Sequence, residues 1–413
     1  MNRQLKKIKL KNKIYIKHGF AFKGEFFQKN GKYIVLTPGN FIEEGGFKRE
    51  KGKEKFYSAE FPKEYLHKKN DLIVAMTEQA EGLLGSMAFV PEDNIYLHNQ
   101  RLGLVTVDEK YIDKLFLYYL FKSEYIRKQI RDSSSGTKVK HTSPERIYDI
   151  TVFLPEIDNQ SKIGNFLLSL DAKIELNNKI NKELETMAKT LYDYWFMQFD
   201  FPDENGKPYK SSGGEMVYNS ELKREIPKGW EVKKLNDLVI KNTAQFNFNN
   251  DYDIDTIDLS VMPSKALCLN QRNTSNNFST NLFVMKKYDI LFGSIRPYLL
   301  KAGFAPFDGL NAGTIHSYSV CNKDEYNFIL LTFTHPSVFD YAIVNSKGTK
   351  MPVIGSDDLL TYQVSYNVDI VTKFNNKLSF KEIIAKNIQQ NQELAKLRDW
   401  LLPMLMNGQV SVK

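Results

Sequence analysis

Pro202-Asp203 followed by Glu221-Leu222-Lys223 has the residue types and order of a PD…ExK nuclease site, in which carboxylates hold Mg²⁺ and a lysine assists phosphodiester hydrolysis. That chemistry needs its carboxylates fixed beside the ion on rigid strands. Here they fall in and after FPDENGKPYKSSGGE, a stretch dense in Gly, Pro, Ser and charge that reads as a linker, so the match is read as coincidence. The chain has no G-x-x-x-x-G-K-S/T phosphate loop, no N/D-P-P-Y/F methyltransferase tetrapeptide and no G-x-G-x-x-G opening a helix after a strand. The six histidines (18, 67, 98, 141, 316 and 335) share no ligand spacing. Cys268 and Cys321 form no C-x-x-C pair, so the expectation is no structural zinc, no disulfide and a reducing cytoplasm.

Binding chemistry is better represented. Ser133-Ser-Ser-Gly-Thr-Lys-Val-Lys140-His and Ser346-Lys-Gly-Thr-Lys350 offer backbone N–H groups, hydroxyls and lysines in glycine-containing turns, a composition suited to phosphate contacts. The residues singled out are Gly136, Thr137, Lys138 and Lys140 in the first, and Lys347, Thr349 and Lys350 in the second; the competing reading is an ordinary turn carrying lysine. For base reading, Asn99-Gln100-Arg101 stands out, because Arg pairs bidentately with guanine and Asn or Gln with adenine in the major groove. The equivalents expected in the second half are Arg296 and Tyr298 of GSIRPY, with Arg272 of LNQRNTS as a further candidate. An Arg beside a strand is as often a surface residue with a local hydrogen bond.

Charge supports a polyanionic partner for one half of the chain. The net charge is +8, yet residues 1–70 hold 18 Lys plus Arg against 7 Glu and no Asp, an excess that favours nucleic acid through phosphate neutralisation and counterion release. Residues 230–370 hold 12 Lys plus Arg against 14 Asp plus Glu, so that half cannot bind DNA by bulk charge. Either its few basic residues cluster on one face, or partners neutralise the phosphates.

Two long helices must position these loops. NNKINKELETMAKTLYDYWF (177–196) and NIQQNQELAKLRDWLLPMLM (387–406) share Asn, Asn, Glu and Leu at an offset of 210. Apolar or small residues at Ile163, Leu167, Leu170, Ile174, Leu184, Ala188, Leu191 and Trp195, with Asn177 and Asn181 in the remaining slots, step by three and four as a coiled-coil seam does. The second copy matches with Phe380, Ile384, Asn387, Asn391, Leu394, Leu401 and Leu405, and Pro403 is expected to kink or end it. Paired asparagines in such a seam fix register and orientation. Asn177, Asn181, Asn387 and Asn391 are therefore read as the register set, with helix against helix. Tyr192, Tyr194, Trp195 and Phe196 are read either as a docking surface or as core.

Short β-type runs such as DLIVAM, RLGLVTV, DILFGS and SYSV alternate with turns and helical stretches in both halves, and Asp71-Leu-Ile-Val, Ala88-Phe-Val-Pro and Ser135-Gly-Thr-Lys recur as Asp289-Ile-Leu-Phe, Gly303-Phe-Ala-Pro and Lys347-Gly-Thr-Lys. The echoes come in one order at similar offsets, the mark of a tandem repeat. The expected fold class is α+β: two tandem α/β-mixed domains at 1–155 and 230–370, separated by long helices at 156–200 and 371–413 that pair as an antiparallel coiled coil, with a linker at 201–229 and an internal pseudo-twofold repeat.

The order of parts, the passage FLPEIDNQSKIGNFLLSLDAKIELNNKINKELETMAKTLYDYWFMQFDFPDENGKPYKSSGG, the re-entry ELKREIPKGWEVKKL and the ending LAKLRDWLLPMLMNGQV resemble the specificity subunit of type I restriction-modification systems over essentially the whole chain. The resemblance implies two target-recognition domains, each reading half of a split asymmetric site in double-stranded DNA, and no catalysis in this chain. It implies two modification (methyltransferase) subunits as partners, and restriction subunits where the system has them. S-adenosylmethionine and ATP with Mg²⁺ are then cofactors of those partners, none belonging to this chain. The rival reading is a coiled-coil scaffold whose end domains bind other proteins.

Overall fold

The computed structural model describes residues 5–78, 82–137, 139–247, 253–278 and 281–412. They form two compact units, Met1–Lys173 with Glu393–Lys413, and Ile174–Gln392. Among the described residues no helix is long and apolar enough to cross a membrane.

In the first unit a four-stranded antiparallel sheet runs in the order Ile14–His18, Leu102–Val107, Leu72–Ala75, Met87–Phe89. Its inner strand reads LIVA and is buried throughout. Alternation assigns its two faces to different cores: Leu72 and Val74 pack beneath helices Lys114–Leu120 and Glu124–Asp132, while Ile73 and Ala75 face the second sheet. The second sheet holds Phe27–Gln28, Phe56–Tyr57, Tyr33–Leu36 and Tyr96–His98, the last two parallel. Asp113 starts the first helix by accepting the Phe116 N–H at 2.8 Å. The buried Arg127 guanidinium holds the surrounding loops, donating to the carbonyls of Phe121, Glu43, Gly82 and Leu84 at 2.6 to 3.2 Å.

His98 lies in the second sheet against the His67 ring, centroids 4.7 Å apart, with Nε2 3.3 Å from the Lys17 carbonyl oxygen. Burial, reinforced by the neighbouring His67, pushes its pKa down to about 3. The unfolded chain therefore binds this proton first, so stability is intact above an unfolded pKa of about 6.5 and falls as pH drops toward about 3. Denaturant titrations should show His98→Leu flattening that slope by up to about 1.4 kcal/mol per pH unit.

The second unit repeats the antiparallel sheet strand for strand, while its mixed sheet carries a different edge strand. Val239–Lys241, Ile315–Val320, Ile290–Gly293 and Ala302–Phe304 form the antiparallel sheet. Asn273–Thr274, Asp255–Ile257, Gly309–Ala312 and Leu282–Met285 form the mixed one, again with one parallel pair, Asp255–Ile257 beside Gly309–Ala312. Ile290 and Phe292 face the helices, and Leu291 faces the other core. A two-stranded pair also recurs, Lys6–Lys9 with Thr151–Leu154 and Glu231–Lys234 with Gln363–Tyr366.

The central helix runs Ile157–Tyr192 and passes into a π-helical turn at Asp193–Met197. The C-terminal helical stretch divides into Val368–Lys377 and Phe380–Met406. At the break the buried Asn327 amide donates to the Asn375 and Leu378 carbonyls at 3.2 and 2.8 Å, and the Leu378 N–H closes the helix end on the Asn375 oxygen at 3.2 Å. Pro403 does not end the final helix, which runs three residues further to Met406. So close to the end, a missing N–H forfeits a single bond.

Within the second unit the helices meet through amides. Asn177 Nδ2 donates to Gln390 Oε1 at 2.8 Å and to Asn391 Oδ1 at 2.9 Å, and Asn387 Nδ2 donates to Asn181 Oδ1 at 2.8 Å. Numbers rise along one helix as they fall along the other, so the packing is antiparallel. Asn177 is fully buried, and Asn177→Ala leaves two partner amides without it. We expect a loss of about 1–3 kcal/mol, read from the denaturant midpoint. Of the aromatic cluster after the seam, Tyr192, Trp195 and Phe196 are core, and only Tyr194 is exposed, at 37%.

Candidate nucleic-acid interface

Each unit gathers three loops at one end of its antiparallel sheet. In the first, Ser135 and His141 close a loop by a reciprocal pair, Ser135 N–H to His141 oxygen at 3.0 Å and His141 N–H to Ser135 oxygen at 2.8 Å. Gly136 takes φ 101°, and a Cβ there would sit 2.1 Å from the Val139 oxygen, so only glycine fits. Thr137 is exposed and Lys140 half-buried, while Lys138 lies outside the described residues. The loop's return, Lys140–His141, pairs with Thr77–Glu78, and His141 Nδ1 lies 3.1 Å from Thr77 Oγ1. The preceding residue, Met76, donates to the Arg101 carbonyl at 2.9 Å. Asn99, Gln100 and Arg101 thus flank the loop's platform. Asn99 uses its side chain to accept the Arg101 N–H at 3.0 Å, leaving Gln100 and Arg101 exposed.

The second unit builds the same device. Lys347 and Val353 exchange N–H···O bonds at 2.9 Å each, and Gly348 takes φ 96°. Lys347, Thr349 and Lys350 are exposed. Ile295 bridges Val353, the Arg296 N–H donates to the Pro352 oxygen at 2.8 Å, and the Ser294 N–H donates to the Thr314 oxygen at 3.0 Å. Arg296 and Leu300 both adopt left-handed backbone, φ 53° and 54°, on either side of one 3₁₀ turn that presents Tyr298 half exposed. Non-glycine residues in that region are held there by their surroundings, and such positions cluster at functional sites.

These contacts correct one expected equivalence. The position of Arg296 in the first unit is occupied by Glu78, not by Arg101, and the position of Arg101 in the second by Thr314. Glu78 turns inward, 5% exposed, and accepts the Leu84 N–H at 2.7 Å. Arg272 does not join the loops either: its guanidinium pairs with Asp255 and lies 5.3 Å over the Phe307 ring.

Two residues missed in the sequence brace the loops. Arg146 Nη1 donates to Ser135 Oγ at 2.9 Å and to the His141 oxygen at 3.4 Å. Lys347 Nζ meets Asp358 at 3.7 Å. In both units the brace lies 11 residues beyond the first loop residue, a common spacing that was the available signal. His316 supports the second loop from below, Nε2 to the Ile354 oxygen at 2.9 Å, and burial holds its pKa below the ordinary value. The nuclease-like residues do not assemble. Asp203 accepts the N–H groups of Asn205 and Lys207 within its own turn, and Glu221 accepts from Gln363. Among the described residues no cluster of three or more His, Cys, Asp or Glu could hold a metal ion.

Residues 2–186 match the model of the type I restriction modification DNA specificity domain. Over that stretch the chain resembles the specificity subunits of type I restriction-modification systems. It is 28% identical over 313 residues to the MjaIX specificity subunit of Methanocaldococcus jannaschii, covering 72% of this chain and 69% of that one. With the HindI specificity subunit of Haemophilus influenzae it shares 23% over 406 residues, 83% and 87% of the two chains. The fold is that of the type I restriction-modification S subunit from M. genitalium, with a TM-score of 0.62 at 14% identity over 98% and 96% of the chains. In this chain, Gly136→Ala should open the first loop without unfolding the unit. A cost of about 1–3 kcal/mol is expected from forced positive φ and the clash, seen as weaker DNA binding with an unchanged far-UV spectrum. Gly348→Ala, whose Cβ would meet the Met351 oxygen at 3.2 Å, should cost less.

Proposed function

We propose that the chain selects DNA for a type I restriction-modification complex, reading a bipartite asymmetric site with one loop cluster per unit and docking methyltransferase subunits that carry out the modification. The observation that carries this reading is the matched pair of braced Gly-Thr-Lys loops with different side chains on equivalent platforms. Lysines, hydroxyls and turn amides at Gly136, Thr137, Lys138, Lys140, Lys347, Thr349 and Lys350 contact phosphate. Gln100 and Arg101 in one unit, and Arg296 and Tyr298 in the other, approach base edges. A common frame with unlike reading groups selects two unlike half-sites. Arg272, engaged by Asp255, supports the second sheet and reads no base.

Catalysis belongs to the partners, which bring S-adenosylmethionine and, in restriction subunits, ATP with Mg²⁺. The test is modification-sensitive single-molecule sequencing of host DNA with and without the gene. Loss of N6-methyladenine at one split asymmetric motif is expected; unchanged modification while the partner methyltransferase is active would overturn the reading.

A further inference from the structure

Each unit carries a groove at the same place in its fold, and among the described residues only one is walled by a hairpin. In the second unit, a groove of about 500 Å³ lies where the end of the central helix (Tyr192, Phe196, Met197) meets Ser337 and the strand residue Ser365. In the first, one of about 710 Å³ lies where the end of the last helix (Leu402, Met406, Asn407) meets Tyr125 and Phe153. The correspondence is positional: the helix residues differ by 210 in number, and Tyr125 with Ser337 and Phe153 with Ser365 each by 212.

The linker forms one wall of the second groove, through Glu221, Leu222 and Arg224. Strands Met216–Asn219 and Arg224–Pro227 form a hairpin whose Leu222 packs on the core, while the Arg224 guanidinium donates to the Phe196 oxygen at 3.3 Å and Ser365 Oγ at 3.1 Å. Among the described residues no such hairpin walls the first groove. Its wall leaves Tyr125 51% exposed and Ile42 46% exposed. The bases lining it, Lys122 and Arg398, are already engaged by Asp171, and of the exposed rim acids Glu124 is paired with Arg131 while Glu44 extends to solvent. The vacant surface is apolar with an acidic edge.

We infer that the first unit's groove receives a hairpin from the methyltransferase subunit, presenting an apolar side chain two residues before an arginine as Leu222 and Arg224 do in the second unit. The choice of partner rests on the functional reading above; the chemistry of the groove does not. The probe is a labelled peptide of residues 216–227, closed by a terminal disulfide because its ends face one another across the hairpin. Titrated with the full chain, it should bind saturably, at least tenfold more weakly to Tyr125→Glu and Ile42→Glu, both exposed positions, and at least tenfold more weakly when it carries Arg224→Ala. The same two chain variants should weaken assembly with the purified methyltransferase subunit at least tenfold while keeping the wild-type melting temperature. A peptide that does not bind, or that binds the variants equally, overturns the groove's assignment. Assembly indifferent to both variants overturns its partner. A wild-type chain that neither assembles with that subunit nor selects a DNA motif overturns the functional reading itself.

Discussion

With Arg296→Ala, methylation should spread from one motif to a family of motifs relaxed at a single base pair in one half-site, the other half unchanged. The residue is exposed, set on a left-handed backbone and fastened through its own N–H to the Pro352 oxygen, so its Cα position is fixed while its guanidinium is free to extend. A bidentate arginine–guanine contact contributes about 1–3 kcal/mol of discrimination, roughly 5- to 150-fold between the preferred and the wrong base. Arg296→Lys keeps the charge but loses the fork, and should retain affinity while losing most of the discrimination. The check is the methylated-motif spectrum together with binding to duplexes varied one base pair at a time. Unchanged discrimination in Arg296→Ala would remove this residue from base reading. Glu78→Ala, at the equivalent place in the first unit, should leave specificity alone and instead destabilise, since that carboxylate holds the Leu84 N–H from within.

The second large effect concerns Asp171. Its carboxylate accepts from Arg398 at 2.6 Å and from the Tyr119 hydroxyl at 2.7 Å, with Lys122 at 3.5 Å. Burial would raise its pKa, but the Lys122 charge and the Arg398 and Tyr119 hydrogen bonds outweigh it and hold the group below the ordinary carboxylate range. Removing it as Asp171→Ala leaves Lys122 and the Tyr119 hydroxyl without this partner and leaves Arg398 with Asp399 alone. Breaking a buried pair costs about 3–5 kcal/mol, and with 24% of the side chain exposed the lower end is expected. The double variant Asp171→Leu with Arg398→Leu should recover part of the loss, because the arginine goes with its partner while Lys122 remains without a carboxylate. Because the folded pKa is lowered, this contribution is present above the unfolded pKa of about 3.9 and is lost as pH falls through the folded one. Denaturant unfolding of the single and double variants decides it: a single variant as stable as wild type removes the network from the energetics.

Much of this was legible because it is periodic. The heptad steps, the paired asparagines and the 210-residue echo state a helix pair and a repeat without any knowledge of contacts. The Gly-Thr-Lys turns were legible for the same reason, each having a second copy. What could not be read was which residue stands opposite each loop. The offset between the halves drifts, because the connection after Leu72–Ala75 and the one after Ile290–Gly293 differ in length, so Arg101 and Arg296 looked equivalent by residue type while the sheet places Glu78 opposite Arg296. The fate of individual charges was equally hidden. Arg272 has the composition of a reader, yet Asp255, 17 positions away in sequence, neutralises it across a strand pair. The braces escaped because arginine in one copy and aspartate in the other do the same task through opposite partners.

The amides at Asn177, Asn181, Asn387 and Asn391 carry no charge, and that separates two responses to solution conditions. Counterions screen lysine against phosphate, so contacts made by the loops weaken steeply as ionic strength rises. Hydrogen bonds between neutral amides in a buried seam have no such dependence, and none of these groups titrates. A rinse in concentrated salt should therefore release any DNA held by the loops while the amide pairs of the helix seam stay in register.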